Sequence, residues 1–104
     1  MSLASLVVKV KAGSYGRALT FTLKDSNGNA LDLSGMTVKL KIWNPKTGAV
    51  LLERAVTVTS PTEGQVSFTP QQGDFDTAGL YYAEFILETD SAHWEMPTFI
   101  WYVE

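Results

Sequence analysis

The chain has 104 residues, a net charge of −3 and no cysteine, so it forms one domain without disulfides or thiolate chemistry, on a fold that must hold in a reducing compartment. A chain this size hides roughly 60–68% of its unfolded surface, enough for a core, and its 45% hydrophobic content argues against disorder. Lys and Arg are scattered and no apolar run approaches the ~20 residues of a membrane span, so neither nucleic acid nor membrane is an expected partner.

Residues 1–5 lack the basic and apolar regions of a signal peptide and read as a flexible N-terminus or cloning remnant; the domain is expected over 6–104, excised from a longer protein on the second view. Leu6–Lys11 sets Leu6, Val8 and Val10 against Val7, Lys9 and Lys11, the pattern of an edge strand whose lysines discourage stray pairing. After the Ala12–Gly16 turn, Arg17–Lys24 alternates Leu19, Phe21 and Leu23 with Thr20, Thr22 and Lys24, a half-buried strand. Asp25-Ser26-Asn27-Gly28-Asn29 is a reverse turn. Leu31 and Leu33 are expected to plug the end of the core before Thr37–Trp43, which puts Val38, Leu40 and Ile42 inside and Lys39, Lys41 and Trp43 outside.

Pro45 presets the next turn. Ala49–Thr59 is a long extended run with a break in pattern expected near Glu53-Arg54, as in an edge strand that switches sheets. Gln65–Thr69 buries Val66 and Phe68, and Pro70 stops it. The stretch 74–88 begins as a corner and continues as a strand with Tyr81, Ala83, Phe85 and Leu87 on its dry face. Asp76, Gly79 and Tyr81 form the structural corner. In immunoglobulin-type sandwiches a tyrosine here buries its ring and returns its hydroxyl to upstream backbone. His93–Val103 closes the fold, with Pro97 marking an edge, a bulge or a register change. Seven or eight short strands with turns between them, and no helical period, predict an all-β, antiparallel, two-sheet immunoglobulin-like sandwich.

The residues that could carry chemistry have simpler readings. Asp90, Ser91 and His93 share one turn with no nucleophile elbow. Asp25, Asn27, Asn29 and Asp32 have oxygen-ligand spacing, but the glycine is misplaced and the bidentate glutamate missing, so they read as turn formers. Asp74 and Asp76 are expected to cap backbone or to meet Arg17 or Arg54. No catalytic, metal or cofactor site is expected. The outward aromatics are the stronger signal. Trp43, Tyr82 and some of Trp94, Trp101 and Tyr102 are expected on solvent faces, where such rings mark interfaces. Ile86 adds an apolar spot beside Tyr82 and Glu84, which makes Trp43, Tyr82, Glu84 and Ile86 the candidate interface.

Read in order, several pieces resemble the N-terminal domain of phage baseplate upper proteins (BppU-type), immunoglobulin-like tail components. They are Gly16-Arg17-Ala18-Leu19-Thr20-Phe21-Thr22-Leu23, Asp25–Asn29, Leu31-Asp32-Leu33-Ser34-Gly35-Met36-Thr37-Val38, Trp43-Asn44-Pro45, Gly64–Phe68, Thr77–Phe85 and Met96-Pro97-Thr98. The resemblance implies a non-enzymatic module of a phage or prophage tail, docked onto other virion or baseplate proteins, without cofactor, compatible with a homo-oligomer, and assembled in the host cytoplasm into the virion tail. The family supplies no catalytic residues. Because the chain ends at Glu104, without a helical or receptor-binding extension, it is expected to be an excised domain or a short stand-alone member. The alternative is a carbohydrate-binding or adhesion sandwich, with a glycan as partner. A small hydrolase built on His93 ranks third.

Overall fold

The computed structural model describes residues 6–104; the segment 1–5 lies outside the described residues. Period-2 alternation drives the whole architecture, because each strand can bury one face only by laying it against a second sheet. The strands are β1 (Val7–Val10), β2 (Leu19–Thr22), β3 (Thr37–Trp43), β4 (Val50–Ala55), β5 (Thr57–Ser60), β6 (Gln65–Phe68), β7 (Gly79–Glu88), β8 (His93–Glu95) and β9 (Phe99–Val103). They form a two-sheet sandwich. One sheet runs β1-β9-β7-β3-β4, with β8 also paired to β7, and the other runs β2-β6-β5.

The described residues give nine strands where seven or eight are predicted, because two expected strands break. The run Ala49–Thr59 crosses between sheets at Val56. Val56 N–H still donates to Val38 O at 2.9 Å, and the next residue, Thr57, already pairs with Ser67 in the other sheet. The irregularity within β4 is not at Glu53-Arg54, which pair regularly with Lys41 and Leu40. It lies at Leu51, the extra residue between Val50, opposite Trp43, and Leu52, opposite Ile42. The second break surrounds Pro97. Glu95 pairs with Ile86 and Phe99 with Ala83, so Met96, Pro97 and Thr98 stand opposite only Glu84 and Phe85. Proline has no N–H for the ladder, and the bulge absorbs the extra residue.

The sandwich is predominantly antiparallel, as expected, but β1 runs parallel to β9, with Val8 opposite Trp101. Parallel neighbours need a long connection, and here the connection is the rest of the domain.

The core is aromatic. Trp101 is fully buried, which corrects any placing of it on a solvent face. Phe75 stacks on it at 5.4 Å, and Phe68 meets it edge-on at 6.0 Å. Its indole Nε1 is buried without a hydrogen-bond partner among the described residues. Leu33 is buried and Leu31 packs against the core at its end. Two clasps fix where β7 begins. The Tyr81 hydroxyl donates to Thr77 O at 3.0 Å, and the residue is only 6% exposed. The Arg54 guanidinium grips Asp74 with two bonds, at 2.7 and 3.0 Å.

Candidate docking face

The outer surface of the large sheet is built by the strand positions that face away from the core. Strand register aligns five of them across five strands. Val7 lies opposite Ile100, Ile100 opposite Tyr82, Tyr82 opposite Trp43, and Trp43 opposite Val50. The result is one continuous apolar row running from β1 to β4. A second, shorter row sets Tyr102 beside Leu80, next to Lys9. Of the eight large hydrophobic residues exposed among the described residues, five are on this face: Val7, Val50, Leu80, Tyr82 and Tyr102. The outer face of the small sheet differs. Register places Thr20, Thr22, Thr57, Gln65 and Ser67 there, all uncharged hydroxyls or an amide.

Beyond the apolar rows the large face becomes charged. Lys41 lies between Glu53 and Glu84 in register, and Lys39 between Ala55 and Ile86. The Lys39 ammonium reaches Glu88 at 3.1 Å, and His93 Nδ1 meets the other Glu88 oxygen at 3.2 Å. These two partners, His93 first, hold the Glu88 carboxyl below its ordinary range. Glu84 is the opposite case. Burial pushes its carboxyl up, and the neighbouring Glu95 charge adds to the rise. Lys41 also sits 5.5 Å from the Trp43 ring centre, which links the charged half to the apolar one through a cation–π contact.

The four candidate interface residues do share this face, but two are covered. Glu84 is 7% exposed and Ile86 only 5%. Ile86 is flanked by Lys39 on one side and Glu95 on the other, and long charged side chains shield apolar neighbours with their stems. Trp43 is half-buried and Tyr82 is 39% exposed, with their rings 6.1 Å apart and perpendicular at 89°. Trp94 is exposed but pairs with Leu87, so it points to the core side of the sheet at its rim. Val7, Ile100, Leu80 and Val50 were not singled out from sequence. For Val7, Leu80 and Ile100 the available signal was parity, since each is apolar at an outward position of its strand. Val50 shares the parity of the buried Leu52 and faces outward only because of the extra residue Leu51.

The other candidates serve the fold. Asp25 Oδ1 accepts from Asn27 N–H and Asn29 N–H at 2.9 and 3.0 Å, and Asp32 Oδ1 accepts from Ser34 N–H at 3.0 Å. His93 contacts Glu88 and Glu95, the Ser91 backbone N–H donates to Thr89 Oγ1, and no hydrogen bond joins histidine and serine among the described residues. Asp74 takes Arg54 rather than Arg17 as its partner, and Asp76 is exposed.

The family model for the BppU N-terminal domain matches residues 8–103, nearly the whole chain. The chain belongs to the BppU N-terminal domain family. This BppU-type domain is therefore a phage tail structural module, of the baseplate upper protein kind that the sequence resembles. Among solved structures, the N-terminal domain of phage TP901-1 ORF48 has the same fold, with a TM-score of 0.73 at 16% identity, over 94% of this chain and 84% of that one. No curated protein matches the chain.

Proposed function

We propose that this BppU-type domain is a non-enzymatic docking module that seats on another protein of a phage or prophage tail, with the outer face of its six-stranded sheet as the contact. The observation that carries the reading is the row Val7–Ile100–Tyr82–Trp43–Val50, which sets exposed and half-buried apolar side chains in line across five strands. A monomer gains nothing from such a row, and apolar centres rimmed by charge are what protein interfaces use. Lys41, Glu53 and Glu95 carry the face into its charged half, where pairing with a partner gives orientation rather than bulk affinity, while Glu84 and Ile86 are covered. The partner is a virion or baseplate protein, met during assembly in the host cytoplasm. The perpendicular Trp43 and Tyr82 rings do not form the flat platform on which a sugar stacks, so the glycan reading gains no support from them.

The test is incorporation into particles. Tyr82→Asp and Val7→Asp change exposed side chains and should leave the melting temperature nearly unchanged, while the variant protein is lost from purified tails. Wild-type incorporation of both variants would overturn this choice of face.

A further inference from the structure

One lateral side of the sandwich is closed by the chain itself, which passes from β4 to β5 through Val56 alone. On the other side, β1 and β2 are the outermost strands of the two sheets, and the loop 11–18 joins them. That loop is pinned at Gly13 N–H to Phe75 O, 2.7 Å, and at Gly16 N–H to Pro70 O, 2.9 Å. Between the two strands lies a cleft of about 620 Å³. Its floor is inward-facing core surface left partly uncovered: Val8, Val10, Leu19 and Phe21 are half-buried, whereas Val38, Leu40 and Ile42 in the middle of the large sheet are 0–1% exposed.

Two further features single the cleft out. First, it has a free backbone edge. Leu6, Val10 and Ala12 direct their hydrogen bonds toward β9 and its continuation, at Ile100 and Glu104. Alternation in a parallel ladder then leaves the N–H and C=O groups of Val7 and Lys9 pointing the other way. Second, its charge is of one sign. Lys9 and Arg17 line it and no carboxylate does, in a chain of net charge −3. Among the described residues, neither cation is within ion-pair distance of an acid.

We propose that this cleft receives an extended segment of a partner polypeptide in which apolar side chains alternate with carboxylates. Such a segment adds to the β1 edge through its backbone. Its period of two sends one set of side chains to the Val8, Leu19 and Phe21 floor and the other set to Lys9 and Arg17. The added strand closes the open side of the sandwich. A second copy of this chain is a poor occupant through β1, because its own Lys9 and Lys11 bring like charge to the same edge. The inference is separable from the sheet-face reading: it shares Val7 only through that residue's backbone, and its floor and Arg17 lie outside the apolar row.

The test is a titration of the ¹⁵N-labelled protein with two octapeptides, one alternating Val and Thr with Glu and the other with Lys replacing Glu. The acidic peptide should bind, with its main amide shifts at Val7 and Lys9. The double variant Lys9→Glu, Arg17→Glu should bind it about tenfold more weakly, the loss of two exposed charge pairs, and should now accept the lysine peptide. Unchanged melting of that variant excludes misfolding as the cause. Tyr82→Asp should leave peptide binding as it is. Equal binding of both peptides, shifts centred elsewhere, no shift at millimolar peptide, or self-association through β1 that the peptide does not displace would overturn the proposal.

Discussion

Arg54 and Asp74 hold each other as a fork and a carboxylate, with Nη1 to Oδ2 at 2.7 Å and Nη2 to Oδ1 at 3.0 Å. The pair ties the end of β4 to the loop that precedes the Tyr81 corner. Asp74 Oδ2 also accepts from Gln71 N–H at 2.7 Å, so one carboxylate orders both chain segments. The Arg54 guanidinium lies 6.0 Å from the Phe68 ring centre, which keeps the fork against the core.

Replacing either partner should therefore cost more than an ordinary surface pair. The Asp74 side chain is only 11% exposed and that of Arg54 is 32% exposed. Asp74→Asn is expected to lose about 1–2 kcal/mol, between an exposed ion pair and a fully buried one. Arg54→Ala should lose somewhat more, because the packing on Phe68 goes too. Urea unfolding of the two variants and the wild type measures both.

The same pair sets an acid limb. The Arg54 hydrogen bonds hold the Asp74 carboxyl below its ordinary value of 3.8. A carboxylate with a depressed folded pKa contributes stability that is complete above the unfolded pKa and is lost as pH falls through the folded one. The gap between wild type and Asp74→Asn should thus be constant above about pH 5 and close below pH 3.8. A gap that persists unchanged to pH 2 would show that the contribution is not electrostatic.

Glu84 should behave in the opposite sense. Burial first, and then Glu95, raise its carboxyl above the ordinary 4.5. Its ionised form is therefore disfavoured in the folded state at neutral pH, and protonation between the raised value and 4.5 stabilises the fold. Glu84→Gln is expected to melt higher than wild type at pH 7, with the difference vanishing as pH drops to 4.5 and below. Thermal melts across that range check the sign.

Tyr81→Phe removes the hydroxyl that bonds Thr77 O and leaves the ring. The expected loss is about 1 kcal/mol, or about 4–8 °C in melting temperature for a domain of this size. Tyr81→Ala also opens a cavity and should cost about 3–5 kcal/mol. If the Phe variant is as stable as wild type, ring burial alone holds the corner.

Gly64 and Gly28 both have positive φ, at 68° and 83°, yet they should respond differently to alanine. A methyl group at Gly64 would come 2.5 Å from Leu23 O and 2.9 Å from Leu31 O, both fixed backbone atoms. At Gly28 it would meet nothing within 4 Å. Gly28→Ala should cost only the left-handed strain of about 1–2 kcal/mol. Gly64→Ala should exceed that clearly, since the turn after the Pro61–Glu63 3-10 helix must also shift. Equal losses would mean that the backbone there yields.

What the sequence determined by itself is the dry side of each strand. Val38, Leu40 and Ile42, or Tyr81, Ala83, Phe85 and Leu87, recur at every second position, with Lys39, Lys41, Glu84 and Glu88 among the residues of the opposite parity, and all seven are buried. Alternation is a property of a single extended backbone, so it can be read without knowing any neighbour. The turns at Asp25–Asn29 and at the Tyr81 corner are local in the same way. The tertiary structure decided which strands lie side by side. Only register across β1, β9, β7, β3 and β4 lines up Val7, Ile100, Tyr82, Trp43 and Val50, and only the flanking Lys39 and Glu95 turn Ile86 from an outward position into a covered one. The parallel β1–β9 pair and the open cleft beside it are of the same kind. Strand neighbours are chosen by how the whole surface packs, and that choice leaves no periodic trace along the chain.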